Sequence, residues 1–295
     1  MSHIISGVKV ASSVSPDAAD PNIPPDDARW AASVVAEPAE ILANVEVNTE
    51  YRHLIVRCGD TSARAIPGQF FQLLCPQTGG EQPFLRRPMS LYAVDPQRHQ
   101  VEFLYKIAGA GTRALASLRV GDRLDMMGPL GVGFKLDPRL RHIVAVGRGA
   151  GLATLAPLAK AAKANATSVT AIFSARRPEL LVSVDLFENQ GAKVIAVTDS
   201  ESTSGPANVE RILRGLLAEG KCDAFFTCGS SRLLRVQQRL AREFGIPGQV
   251  AMEQQMACGL GLCFCCVRDF NVGGEIVHRR VCWEGPVFDI MEALP

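Results

Sequence analysis

Four cysteines near the C-terminus constrain this chain most: Cys258, Cys263, Cys266 and Cys282, in the runs CGLGLCFCC and VCWEGPVF. Their spacing, C-x4-C-x2-C followed by a more distant Cys, is the plant-type spacing with which thiolates hold a [2Fe–2S] cluster. Such a cluster carries one electron at a time, so the spacing selects redox chemistry. Gly259 and Gly261 let the loop close tightly and turn backbone N–H groups toward sulfur. The alternative is a structural zinc site with four cysteine ligands. Zinc sites usually show two CxxC knuckles, and only Cys263–Cys266 forms one here, so the spacing favours the cluster. It selects Cys266 over its neighbour Cys265, which is expected to be a buried thiol or one lying just behind the ligands. His278, between the third and fourth ligands, is expected at the surface.

The remaining cysteines agree with a cytoplasmic protein. Of nine in the chain, five lie between Cys258 and Cys282. Cys58, Cys75, Cys222 and Cys228 sit in or beside apolar, strand-like runs. One dense cluster with scattered core thiols fits a metal protein better than a secreted disulfide scaffold. The 31 basic and 30 acidic residues leave a net charge of +1, so no electrostatic footprint points to nucleic acid. The longest apolar runs, such as HIVAVG (142–147), are far too short for a membrane span. No cationic segment followed by a long apolar run opens the sequence, so no signal peptide is expected.

With 295 residues there is room for about two or three domains, and the pattern changes along the chain. Residues 1–39, rich in Pro, Ala, Ser and Asp, read as a flexible extension. Over 40–138, short apolar stretches such as HLIVRC, FFQLLC, VEFLYKI and RLDMMG alternate with turns, which predicts an antiparallel β-barrel. A short helix is expected inside it over Thr112–Leu118. Over 139–250, strands HIVAVG, VTAIFSA, KVIAVTD and DAFFTCG alternate with amphipathic helices, which predicts a parallel-sheet α/β domain. Residues 251–295 form a small cysteine domain. The fold class is α+β multidomain.

Several motifs carry cofactor chemistry. Arg87-Pro88-Met89-Ser90 combines a guanidinium suited to phosphate, an extended backbone and a hydroxyl for a heteroaromatic ring. Leu104-Tyr105-Lys106 closes a strand, and Gly111-Thr112 lies at a helix start that favours an anion. Strand HIVAV runs into Gly147, Arg148, Gly149 and Gly151, a strand–glycine turn–helix phosphate site. Cys228 and Gly229 end another strand, where a ligand would meet the carboxyl edge of the sheet; Cys228 is either a buried small hydrophobe or part of a nicotinamide pocket. After KVIAV come Thr198-Asp199, with no Arg or Lys until Arg211, which favours NAD over NADP. Arg176 and Arg177 keep NADP open.

With these motifs in order, the chain resembles the ferredoxin–NADP reductase superfamily. Over residues 40–295 it is similar to the electron-transfer subunits of class 1B dihydroorotate dehydrogenases. Pro67-Gly68-Gln69-Phe70 and Gly128-Pro129-Leu130-Gly131 match that family's barrel signatures. Glu253 and Met256 before the cysteines, and Gly285-Pro286-Val287-Phe288 after them, match its cluster segment. The resemblance implies FAD on Arg87–Ser90, Leu104–Lys106 and Gly111-Thr112, NAD on the parallel sheet, and a [2Fe–2S] cluster on the four cysteines. It also implies a catalytic, FMN-containing dihydroorotate dehydrogenase partner in a heterotetramer. Arg148 stands where the family has a small residue, and Thr154 near the place of its proline. The function expected is an electron relay between partner, cluster, FAD and NAD, with no catalytic triad. Two rivals are a reductase passing electrons from NADH to an oxygenase, and a zinc-stabilised binding module with no redox role.

Overall fold

The computed structural model describes residues 34–295, apart from 79 and 81. Seven strands form one antiparallel sheet: β1 (Val35–Glu46), β2 (Tyr51–Arg57), β3 (Phe70–Leu73), β4 (Arg87–Ser90), β5 (Ala93–Asp95), β6 (Gln100–Lys106) and β7 (Arg123–Leu130). Their order is β4-β3-β7-β1-β2-β6-β5. In β6 the alternation of the sequence places Val101, Phe103 and Tyr105 on the buried face. They meet Ile41, Leu54, Val56, Phe71 and Leu73 in the barrel core. Phe71 and Phe103 pack edge to face at 5.5 Å between ring centroids, the geometry the ring quadrupoles prefer. A register shift between Ile41 and Ala43 bends β1. The expected helix is present as α1 (Ala110–Ala116).

The second sheet is built from β8 (His142–Arg148), β9 (Ser168–Ala175), β10 (Lys193–Thr198), β11 (Ala224–Cys228) and β12 (Gly248–Ala251). These five are parallel, in the order β10-β9-β8-β11-β12. Connecting them are α2 (Gly151–Ala164), α3 (Val184–Asn189), α4 (Pro206–Ala218) and α5 (Ser231–Phe244). Strands β8 and β11 are covered on both faces, which is why their sequences are continuously apolar. The chain runs outward from β8 to β10, then returns to β11 on the other side. That reversal opens a crevice at the carboxyl ends of β8 and β11.

In the cysteine segment, β13 (Val267–Val272) and β14 (Glu275–Arg280) pair as a hairpin turning at Gly273-Gly274. Then β15 (Val287–Asp289) joins the second sheet as a sixth strand, antiparallel to β12. The closing run FDIMEALP packs inward: Phe288, Ile290 and Ala293 are buried in one cluster with Phe225 and Val250. The cysteine segment therefore shares the core of the parallel sheet.

The boundary read at 250/251 falls within β12, and that at 39/40 falls within β1. The extension read over 1–39 lies outside the described residues as far as 33, and residues 35–39 belong to β1, with Ala39 fully buried. Among the described residues no helix is long and apolar enough to cross a membrane.

Glycines mark the tightest packing. A Cβ on Gly151 would lie 2.3 Å from the Cys228 carbonyl oxygen, whereas one on Gly215, in α4, meets nothing within 4 Å. Gly151→Ala is expected to destabilise by about 1–3 kcal/mol through overpacking against backbone. Gly215→Ala is expected to stabilise by about 0.5–1 kcal/mol by removing helix-interior glycine entropy. Opposite shifts of the urea midpoint check the pair.

Candidate functional site

Three sets of residues make up the candidate site. The first surrounds a cavity of about 310 Å³ between the two sheets. Strand β4 supplies Pro88, Met89 and Ser90, and the end of β6 supplies Leu104, Tyr105 and Lys106. Thr154 of α2 and Met252, Glu253 and Met256 close the other side. The Tyr105 hydroxyl donates to Asn44 Oδ1 at 3.0 Å, and burial pushes its pKa up to about 12. Lys106 Nζ bonds Glu50 Oε2 at 2.7 Å. Burial raises the Glu253 carboxyl above its ordinary range.

Arg87 and Gly111 lie against each other. A Cβ on Gly111 would sit 2.6 Å from Arg87 Nε, so glycine alone leaves the guanidinium its place beside the start of α1. The Thr112 hydroxyl accepts from the N–H groups of Ala108 and Gly109, at 2.9 and 3.1 Å, and fixes the turn. A guanidinium beside a helix start, on the strand whose next three residues line the cavity, suits a phosphate-bearing heteroaromatic group such as FAD.

The second set is the crevice between β8 and β11. Gly149 and Gly229 have positive φ, +58° and +83°. A Cβ on Gly229 would lie 2.9 Å from the Arg148 carbonyl oxygen. With Gly151 against Cys228, the two turns interlock, bringing Gly147, Gly149, Gly151, Cys228 and Gly229 to one place. Cys228 is buried at the end of β11, and desolvation raises its thiol. The Arg148 guanidinium donates to Ser174 Oγ at 2.7 Å and to Asp199 Oδ2 at 2.6 Å. Arg148, and then the Ser204 hydroxyl, lower the Asp199 carboxyl. Arg176 is engaged by Glu50 and Arg177 by Glu179.

The third set is the cysteine loop. Gly259 and Gly261 adopt φ of +74° and +76°, which only glycine does at little cost. The turn aims backbone N–H groups at sulfur: Leu260 to Cys258 at 3.3 Å, Gly261 to Cys282 at 3.2 Å, and Cys282 to Cys266 at 3.4 Å. Burial pushes the Cys258 thiol up, but N–H groups of Leu260, Cys263 and Leu262 and the Cys263 side chain outweigh it, leaving about 7.

Cys258 and Cys263 interact within one turn of the loop, and the Cys282 N–H donates to Cys266 Sγ at 3.4 Å, which sets the thiols in two neighbouring pairs. Among the described residues, no three His, Cys, Asp or Glu side chains gather about a single metal ion. Two thiol pairs side by side are the donor set of a two-iron cluster, each iron taking two protein ligands. Both amide atoms of the fully buried Gln72, which packs against Gly259, also lack a hydrogen-bond partner. An unpaired buried amide costs about 1–3 kcal/mol, so the pocket is built around a polar group. The residues present thus fit a [2Fe–2S] cluster.

Comparison with known proteins agrees. The iron-sulfur cluster binding domain of dihydroorotate dehydrogenase B matches residues 253–293. The electron transfer subunit of dihydroorotate dehydrogenase B (NAD(+)) from Desulforamulus reducens is 32% identical over 251 residues, which are 85% of this chain and 95% of that protein. The chain belongs to this family. The corresponding subunit from Shouchella clausii is 29% identical, covering 86% of this chain and 96% of its own length. Among solved structures, one of an NADH-dependent reduced ferredoxin-NADP oxidoreductase superposes with a TM-score of 0.72 at 28% identity, covering 87% of this chain and 89% of that one. The ferredoxin reductase of carbazole 1,9a-dioxygenase shares the fold, with a TM-score of 0.57, 21% identity and 72% and 67% covered.

Within this family fold, the two departures noted in the sequence have partners. Arg148 holds Asp199, and the Thr154 hydroxyl donates to Ser90 Oγ at 2.9 Å. Sequence reasoning missed Gln72, Glu50 and the Thr154–Ser90 bond, whose partners are distant in the chain and carry no local signal. Cys265 departs from one of its two expected placements, that of a buried thiol. It is exposed, because Cys266 turns inward onto Cys282 and leaves its neighbour facing out. His278 is at the surface as expected, bonded to Asp269.

Cys265→Ser is expected to keep the full iron content of the wild type, while Cys266→Ser loses most of it. Iron and acid-labile sulfide analysis of the anaerobically purified proteins checks both.

Proposed function

We infer that this chain is the electron-transfer subunit of an NAD-linked dihydroorotate dehydrogenase, passing electrons from a catalytic dehydrogenase subunit to NAD+. One observation carries the reading. Met252, Glu253 and Met256 line the cavity suited to FAD, and the same stretch runs on within two residues to Cys258. A single continuous segment therefore holds both redox sites side by side. When bound, the [2Fe–2S] cluster supplies one-electron transfer and FAD the conversion of single electrons into a hydride for nicotinamide.

The chain's own residues position and tune these groups. Arg87 and the turn at Gly111-Thr112 hold phosphate. Leu104, Met89, Met252 and Met256 exclude water from the ring site. Ser90 accepts its hydrogen bond from Thr154, leaving its own proton for a ring edge. The glycine turn at 147–151 and the start of α2 receive the dinucleotide pyrophosphate, and Asp199 accepts from its ribose hydroxyl. Toward the partner, the loop presents Cys263 with the exposed Leu262 and Phe264, while Cys266 and Cys282 stay buried. Thiolate ligands and free core cysteines suit a reducing cytoplasm.

An anaerobic visible spectrum before and after NADH tests the reading. Flavin bands with a cluster shoulder, both bleached by NADH, are the expected result. A protein without flavin or iron overturns it. Asp199→Ala releases Arg148 to meet a 2′-phosphate. Its preference for NADH over NADPH, measured as kcat/KM with an artificial acceptor, is expected to fall about tenfold, the loss of one hydrogen bond to a charged group worth about 1.5 kcal/mol.

A further inference from the structure

Gln72 lies on β3, in the barrel, yet its side chain serves another part of the molecule. It is fully buried, and neither its Nε2 nor its Oε1 has a hydrogen-bond partner. Among the described residues it is the one side chain with both ends of an amide orphaned. Native interiors rarely leave such groups unpaired, and each case asks for a missing partner. The neighbour it faces is the cysteine turn. A Cβ on Gly259 would lie 2.8 Å from both Gln72 Cγ and Gln72 Nε2, so that glycine exists at positive φ with the amide directly against it. On the other side, Gln72 is paired in register with Pro88 of the Arg87–Ser90 strand. Gln72 therefore stands between the strand that lines the flavin cavity and the loop that carries Cys258.

We propose that Gln72 donates a side-chain hydrogen bond to a sulfur of the [2Fe–2S] cluster and raises its reduction potential. This rests on the cluster reading above. The cluster is the one sulfur-rich acceptor the loop assembles, and Nε2 is a donor already desolvated and held in place. A donor to cluster sulfur stabilises the more negative, reduced form, because hydrogen bonds to the sulfurs and net charge set the potential. Uptake of one electron needs no proton from the amide and breaks no bond. The residue thereby adjusts the electron balance between cluster and flavin from the side on which they neighbour each other.

The test is an EPR-monitored redox titration of the anaerobically purified full chain carrying iron and FAD. Gln72→Leu is expected to shift the cluster–flavin electron equilibrium about tenfold toward oxidised cluster, about 59 mV for one electron, with the flavin potential unchanged. With iron and FAD stripped, the same variant is expected to melt above the stripped wild type, since it no longer buries two orphan polar atoms. A variant with full iron content and an unmoved cluster potential overturns the proposal. Should Gln72→Leu fail to hold iron, wild-type protein labelled with 15N at glutamine side chains decides. Pulsed EPR of the reduced cluster should show a coupled amide nitrogen, and its absence overturns the proposal. Wild type without iron would instead overturn the cluster reading itself.

Discussion

The architecture depends on a short antiparallel pairing. Strand β15 lies beside β12, with Ala251 opposite Val287, Val250 opposite Phe288 and Gln249 opposite Asp289. These three pairs bring the two ends of the cysteine segment together. Met252 N–H donates to the Pro286 carbonyl at 2.8 Å, and Val132 N–H, from the exit of the barrel, donates to the Gly285 carbonyl at 2.6 Å. The turn at 285–286 thus bonds to barrel and parallel sheet at once. Phe288 carries the tie into the core, with its ring 4.2 Å from that of Phe270 on the cysteine hairpin. Without this clamp the cysteine loop would have no fixed distance from the cavity between the sheets, and a one-electron site is useful only where its neighbour is fixed.

Polar contacts between distant segments refine that frame. Glu50 accepts from Lys106 and Arg176, joining the barrel to the end of β9. Lys106 is the chief cause of its lowered pKa, and burial opposes it. Arg176 is largely exposed, so the contact orients more than it stabilises. Thr154 and Ser90 join α2 to β4. Arg148 crosses the ends of β8, β9 and β10 to reach Asp199. Each residue that departs from the expected glycine-turn pattern has thus acquired a polar partner, and the crevice between β8 and β11 is shaped by these pairs as much as by its glycines.

Local chemistry was legible wherever the interaction partner is near in sequence. The cysteine spacing is set by the size of a cluster and the reach of one loop, so it shows in a few residues. Gly259 and Gly261 follow from the same turn. Strand alternation in β6 and the amphipathic α4 and α5 reflect burial on one face, which has a period that can be read directly. The short α3 was not foreseen, since VDLFEN is too brief to show a helical period. The outward orientation of Cys265 was also hidden, because adjacent cysteines look alike until the partner of one is known.

The sequence by itself determined the two kinds of sheet and the cysteine spacing that points to a cluster, because each depends on residue type and on spacings of a few residues. Only the tertiary structure decided that β15 completes the second sheet and that Gln72 faces the cysteine turn. It likewise decided that Asp199 is held by Arg148 and Ser90 by Thr154. The physical reason is the same in every case. A contact between segments tens or hundreds of residues apart leaves no periodic or compositional trace. It exists only once the chain has closed and brought both segments together.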